Sequence, residues 1–433
     1  MSESRSWLPL GVATGILALT LGAIALTGGG DPAPECATKV EATGPLLAPD
    51  RFSEDPRLKQ LATSVGAMGA PFGEVVAGVG YDYDQWLRLY GVEGGLLAFT
   101  KNNAPVTYLR DGDLEPGWSL RPARKRTAWD ADSRQFVLLG LAKGKPTQVS
   151  AYDLENGDRN WCVELPMKQA DGEPVSTAFI ADGADLIVAL PGGGSAIKAA
   201  RLSAADGGSA WSRRIGGVDR ADFVGMLPDD LFVAGGSEEH RLAEPGDLPA
   251  RAAVSAFSIA DGRKAWGWEI PAGAAAHIAG QVDDQVLVIV RDADGSALVA
   301  LDPGGVEVWR RDLPGYAFQS TLRSGVLITR TTTGLQAYDA RTGEARWGSR
   351  IPPARTYFPY GFTLDQMPSL DDKHVLMPTT TALRVLDIRT GTTTAYPLPV
   401  DGVSTTYWPY QLAVTPESIA VVTNTGGVVA HRE

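Results

Sequence analysis

A tryptophan returns at a nearly regular interval along most of this chain, and that recurrence constrains the fold more than any other feature. Trp118, Trp161, Trp211, Trp266, Trp309 and Trp347 are separated by 43, 50, 55, 43 and 38 residues, and Tyr396 follows 49 residues later. Each closes a similar phrase. LQAYDARTGEARW ends at Trp347, VSAYDLENGDRNW at Trp161 and VSAFSIADGRKAW at Trp266. LVALDPGGVEVW ends at Trp309 and LRVLDIRTGTTTAY at Tyr396 with the same rhythm. Self-similar content at such a period marks a stacked repeat architecture, in which no unit is stable alone.

The interval suits four short strands. Residues 316–351 are the clearest copy: YAFQSTLRSG, VLITRTTTG, LQAYDARTG and EARWGSRI are each rich in β-branched or aromatic residues and end at turn formers. Asp339 closes the third strand, where a carboxylate can accept backbone N–H bonds, and Gly343 supplies the positive φ of a tight turn. Asp153 and Gly157 repeat that arrangement, while Gly262 keeps it with Ser258 in place of the acid. The tryptophan then falls on the outer strand, where a large flat ring can cover the gap to the next module. Four strands cannot bury both faces alone, so the modules stack radially into an all-β propeller with short, protected edges.

Seven modules end near residues 120, 166, 215, 271, 313, 351 and 399, and the eighth, SIAVVTNTGGVVAHRE, stops after its third strand. A propeller can close by borrowing the missing strand from the other end of the chain. That strand is expected between Cys36 and Leu47, giving eight four-stranded blades. A seven-bladed ring closed by the Trp118 strand is the alternative.

The spacing Asp–x3–Gly–x3–Trp is complete at Asp153/Gly157/Trp161 and Asp339/Gly343/Trp347. It is partial at Ser258/Gly262/Trp266 and at Asp387/Gly391/Tyr396, and degraded around Trp118. In this the chain resembles the repeats of PQQ-like, quinoprotein-type β-propellers, over roughly residues 70–433. The resemblance implies the fold and says little about activity. Some members of that family are quinoprotein dehydrogenases, with a vicinal cysteine pair, a calcium shell and a catalytic aspartate in the axial funnel. This chain has only Cys36 and Cys162, and none of its residues can be matched to the calcium shell. No catalytic residue, cofactor or metal is therefore expected. The resemblance also reaches a propeller lipoprotein that assists outer-membrane protein assembly. Ala33-Pro34-Glu35 before Cys36 do not make the small-residue box of a lipidation site, so the lipid anchor of that protein is not expected here.

Trp7–Thr27, WLPLGVATGILALTLGAIALT, carries no charge and is long enough to cross a hydrocarbon core of about 30 Å. It is longer than the usual apolar region of a cleaved signal peptide, so an uncleaved single-pass anchor is expected. Arg5 precedes it, whereas Asp31 and Glu35 follow, which places the N-terminus in the cytoplasm and the large domain outside. The expected organisation is a cytoplasmic stub and anchor over 1–30, an extracytoplasmic tether with a possible closing strand over 31–69, and a propeller over 70–433. In an oxidising compartment, Cys36 and Cys162 are expected to form a disulfide.

With a formal net charge of −12, the chain is a poor partner for nucleic acid, which needs a basic face. His240, His277, His374 and His431 are scattered without metal-ligand spacing, and no H-E-x-x-H or G-x-S-x-G occurs. The glycine run Pro191–Ala196 lacks the Lys-Ser/Thr of a phosphate loop and reads as a hairpin turn. Asp292-Ala293-Asp294-Gly295 imitates the start of a calcium loop, but Pro303 stands where the bidentate Glu belongs.

The remaining signal is aromatic. TYFPYGF (Thr356–Phe362) and TYWPYQL (Thr406–Leu412) occupy the same place in successive modules, between an outer strand and the next inner one, with a weaker version at Pro314–Ser320. Tyr316, Tyr357, Phe358, Tyr360, Tyr407, Trp408 and Tyr410 are the candidate contacts for a partner, since Tyr and Trp anchor many interfaces. The same rings could instead pack between blades. Two further loops could serve: the polar Gly236–Ala252, longer than a hairpin needs, and the basic Arg121–Arg126. The sequence thus reads as a membrane-anchored, extracytoplasmic scaffold that binds an envelope or membrane protein. A sensor or a quinoprotein-like oxidoreductase using the axial funnel is the alternative.

Overall fold

The computed structural model describes residues 36–42, 55–80, 87–100, 105–122, 126–131, 135–141, 145–168, 178–182, 185–191, 196–216, 223–235, 251–270, 272–349, 364, 367–379, 382–398, 409–423 and 426–433. Its compact body is Cys36–Glu433. Eight antiparallel sheets follow one another, and the ring has eight blades. Blades 1 to 6 take their four strands, a to d, from 87–121, 126–168, 178–216, 223–270, 275–313 and 317–349. In blade 7 the described strands are His374–Pro378, Ala382–Asp387 and Thr393–Pro397. First strands of neighbouring blades approach one another, as Ala275–Val282 does Ala317–Arg323, so strand a is innermost and strand d outermost.

The ring closes by borrowing a strand, but not the expected one. Blade 8 is built from Pro409–Val414, Ser418–Thr423 and Gly426–Arg432, and its outer strand is Phe72–Gly80, paired from Phe72 opposite Arg432 to Gly80 opposite Gly426. The expectation of a closing strand within Cys36–Leu47 is therefore corrected. Thr38–Val40 instead adds a fifth strand to blade 1, pairing with Ser119–Arg121. The reason is the cross-link: Cys36 is joined to Cys162 on strand d of blade 2. That bond fixes the segment at the outer rim of blades 1 and 2. Ala37 is buried there with its carbonyl accepting from the Tyr152 hydroxyl at 3.0 Å, and Lys39 reaches Asp158 at 2.7 Å.

A helix, absent from the sequence reading, fills the remaining rim. Pro56–Gly66 starts at Asp55, whose carboxylate accepts from the N–H groups of Arg57 and Leu58. Leu58, Leu61, Ala62 and Val65 recur at helical spacing and bury one face against Phe72, Leu398, Leu412 and Val421. The helix thereby packs on the two outer strands of blade 8, Gly426–Arg432 and Phe72–Gly80.

Seams between blades explain the recurring tryptophan. Each indole lies on the third-to-fourth strand turn of the following blade and donates Nε1–H to a carbonyl there: Trp118 to Leu154 (2.8 Å), Trp161 to Ala204 (2.9 Å) and Trp211 to Ile259 (2.7 Å). Trp266 reaches Pro303, Trp309 Arg341 and Trp347 Ile388 in the same way. Trp118 takes this place although the phrase around it is degraded, and it is 1% exposed. The turn itself is held as the spacing suggests. Asp339 Oδ1 accepts from the N–H groups of Arg341 and Thr342, and Gly343 has φ +69°. Hydrogen bonding from Arg346 holds the Asp339 carboxyl below its ordinary range.

Two seams depart from this pattern. Tyr396 replaces the tryptophan of blade 7, stacks edge-on with Phe72 at 5.3 Å and donates its hydroxyl to Ala70 O at 2.6 Å. Between blades 8 and 1 a buried apolar cluster that includes Leu89, Leu96, Ala413 and Val422 is joined by polar links. Gln411 exchanges two hydrogen bonds with the Leu89 backbone, and Asp111 accepts from Thr415 Oγ1, Ser418 Oγ and the Glu417 N–H. This is the seam where the ends of the ring meet, and buried polar pairs fix register there more sharply than apolar packing.

Candidate interaction face

Because successive strands alternate in direction, the two ends of every blade differ. Strand a-to-b and c-to-d turns emerge on one face, and b-to-c and d-to-a connections on the other. The first face carries the Asp–Gly turns and the tryptophan seams. Every loop singled out from the sequence is of the second kind. The strand ends flanking Arg121–Arg126, Gly236–Ala252, Pro314–Tyr316, Thr356–Phe362 and residues 401–408 all belong to that face. Sequence reasoning chose these segments by composition, and topology brings their flanks to one side.

The individual side chains are less evenly defined. Tyr357, Phe358, Tyr360, Tyr407 and Trp408 lie outside the described residues, as do Gly236–Ala250 and the anchor Trp7–Thr27. Tyr410 belongs to the inner strand Pro409–Val414 and not to the loop assigned to it, which corrects that part of the reading. Its neighbour Gln411 is the residue that clasps Leu89 across the closing seam. Tyr316 is half-buried, with its hydroxyl donating to Ala293 O at 2.9 Å and its ring 6.0 Å from the Arg291 guanidinium carbon. It therefore packs against the b-to-c turn of blade 5 and is less available than a free anchor would be.

Beside Tyr316 lies a group the sequence did not reveal. His277 on strand a of blade 5 is 1% exposed, and Arg291 on strand b is 8% exposed. Burial and the nearby Arg291 charge push the His277 imidazole down to about 4, so it is neutral at physiological pH. In sequence, His277 sits within AAAHIAG, where it reads as one isolated histidine, and only the pairing of strands sets it beside Arg291.

The two cysteines are joined to each other at the outer rim, and no group of three His, Cys, Asp or Glu side chains suited to a metal occurs among the described residues. No helix among the described residues is long and apolar enough to cross a membrane.

With the fold in hand, the class is defined: the chain is a β-propeller of eight blades. The family described as outer membrane protein assembly factor BamB matches residues 250–430, less than half of the chain. Among solved structures, BamB from Moraxella catarrhalis is similar at 15% identity, covering 83% of this chain and 99% of that one, with a TM-score of 0.50. The dihydro-heme d1 dehydrogenase NirN is similar at 14% identity, covering 82% and 74%, also at 0.50. A quinohemoprotein alcohol dehydrogenase from Pseudomonas putida HK5 follows at 11% identity, covering 82% and 75%, with 0.49. At these identities the likeness concerns the fold. No curated protein matches the chain.

Proposed function

We propose that this protein is a membrane-anchored, extracytoplasmic scaffold that binds an envelope protein through the face carrying the b-to-c and d-to-a connections. The observation that carries the reading is topological. The aromatic, basic and elongated segments all flank strands on one face, while the opposite face is occupied by the short turns that receive the inter-blade tryptophans. The match of residues 250–430 to a family described as an assembly factor supports a binding role. The Cys36–Cys162 disulfide supports an oxidising compartment, as an uncleaved Trp7–Thr27 anchor with the propeller outside would require.

Photo-reactive residues at Tyr357 and Tyr407, crosslinked in intact membranes, test the proposal. A shared partner at both positions, lost in a folded Tyr360→Ala/Tyr410→Ala variant, is the expected result. Silence at both sites in anchored, folded protein would overturn it.

A further inference from the structure

Blade 1 carries a strand that the ring does not need. Its own four strands, Leu87–Val92, Gly95–Thr100, Val106–Arg110 and Pro116–Arg121, match the four of blades 2 to 6. Thr38–Val40 is added outside them as a fifth, with Thr38 opposite Arg121 and Val40 opposite Ser119. The added strand is only three residues long, whereas Phe72–Gly80, which completes blade 8, has nine. Its side chains give it little hold: Thr38 and Lys39 are exposed, and Val40 is half-buried. The Lys39–Asp158 ion pair is open to solvent on both partners, and such pairs contribute little. Ala37 is the firmer attachment, buried in one cluster with Trp118 and Tyr152 and accepting from the Tyr152 hydroxyl. Beside it, Cys36 is bonded to Cys162 on strand d of blade 2. A short segment outside the repeat is thus tied covalently to a neighbouring blade.

A cross-link that serves the ring would join strands on which the ring depends. Opening this one and lifting Thr38–Val40 leaves blade 1 with the same four strands as its neighbours. It also uncovers the edge Ser119–Arg121, whose backbone N–H and C=O groups lose their partners. The two sulfurs are unequally placed. Cys36 is buried, while Cys162 lies on the outermost strand of blade 2 and is half-buried, so an incoming thiolate meets Cys162 Sγ first. We propose that the Cys36–Cys162 disulfide is a redox latch, opened in the folded protein by a dithiol reductant, that controls whether Thr38–Val40 covers the outer edge of blade 1. In the opening step a thiolate of the reductant bonds to Cys162 Sγ, and the S–S bond breaks with its electron pair leaving on Cys36 Sγ. The second thiolate of the reductant then displaces Cys162 Sγ. The reductant ends as its own disulfide, and the two released sulfurs take up the two protons that it gave. This goes beyond the scaffold reading and stands independently of it.

Dithiothreitol is the probe, added to full-length protein in detergent without denaturant. Alkylation with iodoacetamide and mass spectrometry count the free thiols, and deuterium exchange is followed in parallel aliquots. Both cysteines are expected to become alkylated. Exchange at Thr38–Val40 and Ser119–Arg121 is expected to quicken about tenfold or more, while Gln285–Arg291 of blade 5 keeps its protection. Replacing dithiothreitol with oxidised glutathione in an aliquot that was not alkylated should restore the original exchange. A purely structural cross-link behaves otherwise, since its sulfurs become reducible only when the propeller unfolds. Thiols that appear only together with loss of protection at Gln285–Arg291 would therefore overturn the proposal, as would cysteines that stay oxidised in the folded protein. Complete reduction with unchanged exchange at Ser119–Arg121 would overturn it as well, because the strand would then hold without the bond.

Discussion

The Trp309 indole rests on Gly343 of the next blade: a Cβ at Gly343 would lie 2.6 Å from Trp309 Cε3, and the indole N–H donates to Arg341 O at 2.8 Å. The repeating glycine thus has two duties. It adopts the left-handed turn conformation, and it leaves a seat for a ring from the preceding module. Gly157 under Trp118 and Gly391 under Trp347 do the same. The sequence phrase therefore straddles blades, since each tryptophan is received by the glycine of the following copy.

Substitution separates the two duties. Gly325 has φ +72° but open surroundings, with Arg341 Nη1 at 3.8 Å its nearest neighbour. Gly325→Ala should cost about 1 kcal/mol through backbone strain alone. Gly343→Ala adds displacement of a packed indole and should cost about 2–4 kcal/mol. Denaturant unfolding of both variants checks this, and equal losses would refute the seating role of Gly343.

The disulfide closes a sequence separation of 126 residues and staples the fifth strand of blade 1 to blade 2. A Cys36→Ser/Cys162→Ser variant should lose about 2–5 kcal/mol. Hydrogen exchange should quicken at Ser119–Arg121, the stretch paired with Thr38–Val40. Unchanged exchange there would show that the added strand holds without the cross-link.

Much of the fold was legible because it is written in a local code. The Asp–Gly turn, the strand periodicity and the outer-strand tryptophan recur within about forty residues, and the expected module ends fall on the ends of the observed outer strands. That a strand from the N-terminal end closes the eighth blade was legible, but which strand does so was not. Phe72–Gly80 joins Gly426–Arg432 across nearly the whole chain, and nothing local distinguishes it from the earlier Thr38–Val40 segment. The helix Pro56–Gly66 lies outside the repeats, and its one local signal is the start at Asp55-Pro56. His277 and Arg291 are fourteen residues apart in sequence, and only strand pairing sets them on one face of blade 5.

Acid should weaken the propeller in a defined window. The unfolded chain protonates His277 near its ordinary 6.5, while the folded protein keeps it neutral down to about 4. Unfolding therefore takes up a proton between these values, and stability declines as pH falls from about 6.5 to 4, by about 3 kcal/mol at most. Asp339, held low mainly by Arg346, adds its loss only below about 3.8. His277→Leu should flatten the decline between pH 6.5 and 4. A native-like slope in that variant would assign the effect to other groups.

At the closing seam, Asp111 receives hydrogen bonds from Thr415, Glu417 and Ser418 of blade 8. Asp111→Ala leaves those donors unpaired and should cost about 2–4 kcal/mol. Proteolysis should then begin at the junction of blades 8 and 1. Cleavage patterns identical to those of the native protein would mean that Gln411, Leu89 and the apolar cluster between the two blades hold the seam without Asp111.

The account rests most heavily on one face of the propeller being the working face, and a two-sided crosslinking comparison addresses that directly. Photo-reactive residues at Tyr357 and Tyr407 report on the face of the d-to-a connections, and those at the exposed Glu155 and Thr390 on the turn face. The account predicts a common protein adduct from the first pair and none from the second, in native membranes. Adducts from Glu155 and Thr390 with silence at Tyr357 and Tyr407 would contradict it.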